Sequence, residues 1–194
     1  MMPAAYTRFE LVRTFREGKL LAAAFVTPVI LYFVFALPAR NEGNFAATGV
    51  PAPLYYMVSL ASFGTMMAMM SAGIRIAGER QAGWTRQLRI TPLPAAAYLA
   101  AKVLTAYAMA ALSLALLYAC GLGLGVDLPA RTWLAMTTLI AIALLPFAAL
   151  GIIMGHYVTV DAVGPVSAGT VTLLAVLSGT WYPATSGEIG RAHV

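Results

Sequence analysis

From Leu20 to Pro38 the chain carries no charged side chain, and four more stretches read the same way: about Pro53–Ile74, Val103–Leu124, Trp133–Gly155 and Val163–Trp181. A helix needs about 20 apolar residues to cross the hydrocarbon core of a bilayer. Five such stretches predict an all-α integral membrane protein. Composition agrees: apolar residues make up 61% of the chain and charged residues 10%, against about 25% charged in a soluble domain. The 12 basic and 7 acidic residues cannot clothe a soluble globule. A soluble enzyme, a nucleic-acid-binding domain and a disordered tail are excluded. The first stretch is too long for a signal-peptide core, which runs about 7–15 residues, and more spans follow it. It is read as a retained helix.

Basic residues set the orientation. With the N-terminus inside, the cytoplasmic side holds Arg8, Arg13, Arg16, Lys19, Arg75, Arg80, Arg86, Arg89 and Lys102, leaving Arg40, Arg131 and Arg191 outside. That is the positive-inside asymmetry of membrane proteins, and it accounts for the net charge of +5 without nucleic acid. A multi-pass protein of the cell (inner or plasma) membrane with a cytoplasmic N-terminus is expected. The segment Tyr6–Lys19 has two readings: an interfacial helix on the cytoplasmic leaflet, or a basic stop that orients the first span.

The spans lack chemistry. No ionisable residue lies mid-span; Arg75, Lys102, Arg131, His156 and Asp161 stand at ends. Ion-coupled transporters usually keep such groups at membrane depth, and an intramembrane protease needs a base or metal ligands beside its nucleophile. Ser167 and Ser178 have no such neighbour in their span. No P-loop is present, and the lone Cys120 makes neither a disulfide nor a cysteine metal site. No catalytic, cofactor or metal residue is assigned. Small residues recur at four-residue spacing: Ala111, Ala115 and Ala119, then Gly121 and Gly125, and Gly151 and Gly155. Such stripes let helices approach closely, within the chain or at a subunit interface. Pro28 and Pro146 favour kinks. Met66, Met67 and Met70, polarisable and adaptable, either line a path for a hydrophobic substrate or simply pack.

The most charged stretch, Arg75–Pro94, lies between spans two and three. Helix is predicted from Glu79 to about Ile90, with Trp84 and Leu88 sharing a face and Thr91-Pro92 ending it. The surface helix either offers an aromatic-aliphatic ridge and arginines to a soluble partner or serves as an orienting loop.

Glu79-Arg80-x-x-Gly83-x-x-x-x-Leu88-x-x-Thr91-Pro92, with Lys102 ten residues after the proline, resembles the loop between spans two and three of type-2 ATP-binding-cassette (ABC) exporter permeases. The basic N-terminal segment, the long third span and Ser178-Gly179-Thr180-Trp181-Tyr182-Pro183 extend the resemblance. It implies a membrane subunit that pairs with a second membrane half, as a homo- or heterodimer, and docks a separate ATPase subunit. ATP and Mg would belong to that partner, so no cofactor is expected in this chain. By position, Glu79, Arg80, Gly83, Trp84, Arg86, Leu88, Thr91 and Pro92 would form the coupling interface, with Glu79 facing either the ATPase or this chain's own interfacial helix, where Arg13 or Arg16 would be its partner. Family members export drugs, antibiotics, lipids or polysaccharide, which implies efflux of a hydrophobic drug-like or lipid-like molecule. The competing classes are a non-transporting membrane anchor and a stand-alone secondary transporter. The family has six spans; five are found here. Residues 1–187 are therefore expected to be an incomplete transmembrane domain, and Glu188–Val194 a non-native tail, because those seven residues resemble the in-frame translation of a DNA-sequencing adapter.

Overall fold

The computed structural model describes residues 2–40, 49–91 and 93–179. These form helices α1 (Met2–Arg16), α2 (Gly18–Ala39), α3 (Ala52–Gln81), α4 (Trp84–Arg89), α5 (Ala95–Gly123), α6 (Ala130–Tyr157) and α7 (Val160–Leu177), and no strand. Four of them, α3, α5, α6 and α7, are long and apolar enough to cross a membrane, and Phe25–Ala39 of α2 forms a shorter apolar helix. The expected adapter-like tail, and Thr180–Pro183 before it, lie outside the described residues.

The helix limits overrun the apolar stretches. The second apolar stretch ends near Ile74, but α3, which carries it, continues through Arg75 and Glu79 to Gln81. Hydropathy marks where lipid begins, not where backbone hydrogen bonding stops, so the helix carries its charged last turns beyond the apolar run. The predicted Glu79–Ile90 helix is accordingly divided. Glu79 and Arg80 belong to α3, Gly83 takes a left-handed φ of 74°, and α4 starts at Trp84. Only glycine holds that conformation without a Cβ penalty.

The core is built around α3, which packs against α2, α5, α6 and α7. Its seam with α6 is a close backbone approach. A Cβ on Gly73 would overlap the Gly151 carbonyl oxygen, and one on Gly155 would stand 2.7 Å from the Gly73 oxygen. Gly121 instead makes room for the Met57 side chain. These glycines of the small-residue stripes thus serve packing within the chain, whereas Ala111, Ala115 and Ala119 are exposed on α5. Leu139, Ile142, Leu145, Leu173 and Leu177 are among the large apolar side chains that α6 and α7 turn outward, as lipid-facing helices do. Met70 is buried in a cluster with Met154, Val163 and Val171, and Met66 and Met67 pack half-buried at its edge.

Candidate functional site

Three sequence spacings converge at one end of the helical body. Tyr6, Glu10 and Thr14 stand four apart on α1; Ser71, Arg75 and Glu79 stand four apart on α3; Tyr98 and Lys102 stand four apart on α5. Four-residue spacing aligns side chains on one helix face, and the three faces meet. Glu10, Thr14 and Lys102 are wholly buried, and Arg75 and Glu79 nearly so.

Lys102 is the hub. Its ammonium donates to Glu10 Oε1 and to Glu79 Oε1, each at 2.5 Å. Glu79 accepts two further bonds, from Arg13 Nη1 at 2.7 Å and from the Tyr98 hydroxyl at 2.7 Å. Arg75 Nη1 donates to Ser71 Oγ at 3.0 Å, while its Nε stands 3.9 Å from Glu10 Oε1. A lone buried charge is prohibitively costly; here two carboxylates face two buried cations, with Arg13 closing the outer side. Of the two arginines the sequence offered to Glu79, the structure selects Arg13. Burial works against the Arg13 charge, but Glu79 and Glu10 outweigh it and raise its pKa. Burial, reinforced by Glu10 and Glu79, pushes the Tyr6 hydroxyl well above its ordinary range. Both groups hold their usual protonation states at neutral pH.

The network ties the loop to the rest of the molecule. Glu79 points to α1 and α5. Its neighbour Arg80 points the other way, donating from Nη2 to the Val158 carbonyl at 2.6 Å, where α6 ends. A cation at a helix C-terminus satisfies an orphan carbonyl and complements the dipole. The last turn of α3 therefore holds α1, α5 and the α6–α7 turn together, immediately before the Gly83 bend.

Beyond that bend, α4 divides its ridge between two grooves. Trp84 lines a cleft of about 300 Å³ with Phe9, Arg13, Gly78, Glu79 and Ala82. Leu88 lines another, of about 210 Å³, with Thr85, Leu93, Ala95, Tyr98 and His156. Both side chains are half-buried against the chain itself. The ridge expected to face outward is thus partly turned inward. Among the described side chains from Trp84 to Thr91, those left exposed are Arg86, Gln87, Ile90 and Thr91, with Ile90 at 87% exposure. Pro92 lies outside the described residues. Glu10, Arg75, Tyr98 and Ile90 were not singled out in the sequence as site residues; the four-residue spacing from Arg75 to Glu79 and from Tyr98 to Lys102 was the available signal. Among the described residues no three His, Cys, Asp or Glu side chains gather to hold a metal.

The ABC-2 type transporter membrane model matches residues 4–188, the span that contains this junction. The chain belongs to the ABC-2 type transporter family. A relative from Bacillus subtilis (strain 168), named "Putative transport permease YvfS", is 28% identical over 180 residues, covering 90% of this chain and 71% of the relative. No solved structure matches significantly. The chain is a transport permease by family, and the charged junction contains Glu79 and Lys102 of the motif that carried the resemblance.

Proposed function

We propose that this ABC-2 family chain is the membrane half of an ATP-driven exporter, moving a hydrophobic drug-like or lipid-like molecule out of the cytoplasm by alternating access. In this reading a second membrane half completes the translocation path. A separate ATPase subunit, which binds ATP and Mg, docks on the loop from Glu79 to Pro92. The N-terminus and that loop are cytoplasmic. Met66 and Met67 give an adaptable apolar surface to the substrate path, with Met70 behind them.

One observation carries the reading. The loop begins on a helix turn that is ion-paired to α1 and α5 through Glu79 and hydrogen-bonded to the α6–α7 turn through Arg80. A push on α4 or Ile90 is thereby delivered to four elements of the membrane domain at once. An orienting loop needs only exposed charge, not a buried junction.

The test is affinity capture of a P-loop ATPase encoded beside this chain. Binding energy concentrates in a few anchors, so Arg86→Glu with Ile90→Glu lowers capture about tenfold or more, with insertion unchanged. Undiminished capture by that double variant refutes the docking surface. Orientation is tested separately with single cysteines at Gln87 and Asp127 in a Cys120→Ser background. A membrane-impermeant thiol reagent on intact cells labels Asp127→Cys and spares Gln87→Cys; the opposite pattern overturns the assignment.

A further inference from the structure

On α1 the usual logic of an amphipathic helix is reversed. The face turned to the protein is polar, with Glu10 and Thr14 fully buried. The outward face is apolar: Phe9 is 53% exposed, Val12 50% and Phe15 40%. The helix is anchored by ion pairs, so its apolar side chains remain for something else. Arg8 and Arg16 flank them, exposed. Beside Arg16 runs a groove of about 330 Å³ lined by Phe9, Val12, Arg13, Arg16 and Glu17. Its chemistry is an apolar floor with two guanidinium groups against one carboxylate.

We propose that this groove is a binding site for the headgroup of an anionic phospholipid, and that Arg13 links lipid occupancy to the α3 junction. The occupant follows from the groove's two halves. A phosphodiester needs guanidinium donors, and Arg presents them in a bidentate fork. The attached glycerol and acyl carbons need the apolar floor that Phe9 and Val12 supply. An acidic protein surface would meet the arginines but leave those side chains in water.

Arg13 can serve both neighbours. Nη1 is held by Glu79 at 2.7 Å, whereas Nε makes a longer contact with Glu17, at 3.5 Å. The Arg13 side chain is 37% exposed. A phosphate oxygen takes the Nε side in place of Glu17 and leaves Nη1 on Glu79. Headgroup binding then fixes the Arg13 rotamer and steadies the last turn of α3, so the junction tightens where anionic lipid is abundant. The inference rests on the membrane location of the family and not on the ATPase or cargo proposed above.

The experiment is thermal unfolding of the purified full chain in neutral detergent, titrated with short-chain phosphatidylglycerol, short-chain phosphatidylcholine or inorganic phosphate. Phosphatidylglycerol raises Tm by mass action more than phosphatidylcholine does, and inorganic phosphate, lacking the apolar part, has little effect. Arg16→Gln, on an exposed side chain outside the ion network, raises the half-saturating phosphatidylglycerol concentration about tenfold, the effect of losing one charge-assisted hydrogen bond. Val12→Ser weakens phosphatidylglycerol and leaves the small phosphate effect unchanged. Equal shifts from the two lipids overturn the headgroup assignment. A phosphatidylglycerol effect that survives Arg16→Gln and Arg13→Gln places the lipid elsewhere and overturns the site. An equal shift from inorganic phosphate would make the groove a free-anion site, and the lipid assignment would fall.

Discussion

The two ends of the helical body are held by different physics. At one end, α1, α3 and α5 meet through buried ions: Lys102 between Glu10 and Glu79, with Arg13 and Arg75 beside them. At the other, rings and single hydrogen bonds do the joining. Phe35 stacks on Tyr56 at 5.6 Å, Tyr118 meets Trp133 edge-on at 4.5 Å, and the Tyr55 hydroxyl donates to the Gly179 carbonyl at 2.6 Å. Aromatic belts of this kind suit the interface between lipid and water. Ring packing has one good arrangement. The ion network has several: Lys102 already divides itself between two carboxylates, Arg13 between Glu17 and Glu79, and Arg75 stands within reach of Glu10. Partners that can be exchanged without leaving a bare charge suit a joint that moves, while the aromatic end suits a fixed frame.

The sharpest way to break that contrast is Lys102→Met. Removing one member of a buried ion pair costs about 3–5 kcal/mol, because the remaining charges stay buried. Glu10 and Glu79 are left sharing a pocket with one cation fewer. Thermal unfolding in detergent shows a large loss of Tm, and adding Glu10→Gln restores part of it. A double variant no better than Lys102→Met alone would mean that the carboxylates are not energetically coupled through the lysine.

Next in size is Gly73→Leu, which probes the seam between the two ends. Its side chain meets the Gly151 backbone, and backbone gives way less readily than a flexible side chain. Overpacking typically costs about 1–3 kcal/mol, read as a lower Tm with little change at Gly169→Ala, where a Cβ meets nothing within 4 Å. Equal effects at the two glycines would remove the α3–α6 seam from the frame.

Legibility in the sequence divides along the same line. The apolar runs and the aromatic residues at their edges are local signals, and the helices follow them. So does the family resemblance of the loop, because motif spacing is local too. The junction is not local. Glu10 and Lys102 lie 92 positions apart, and each, read alone, is a charge beside a span. The sequence counted Arg75 and Lys102 toward orientation, whereas the fold buries both. Gly83 was legible as a motif member but not as a break, since helix-compatible residues flank it. Trp84 and Leu88 are four apart on α4, yet one turns into a cleft with α1 and α3 and the other into a cleft with Tyr98 and His156, which only tertiary packing decides.

The smallest expected effect sharpens the aromatic side of the contrast. Tyr55→Phe removes the hydroxyl that reaches Gly179 and keeps the ring, which meets Tyr56 edge-on at 5.7 Å. A neutral intramolecular hydrogen bond contributes about 0.5–1.5 kcal/mol net. The residue is half-buried, so water recovers part of the Gly179 carbonyl's bonding, and the lower part of that range is expected. Tm then falls slightly, far less than for Lys102→Met. Because the bond joins the start of α3 to the second residue after α7, amide exchange quickens in the last turn of α7 and not in α1. A loss as large as that of Lys102→Met would mean that the aromatic end also rests on an irreplaceable polar contact. Quickened exchange in α1 would mean that the two ends are one cooperative unit, and the division into joint and frame would fail.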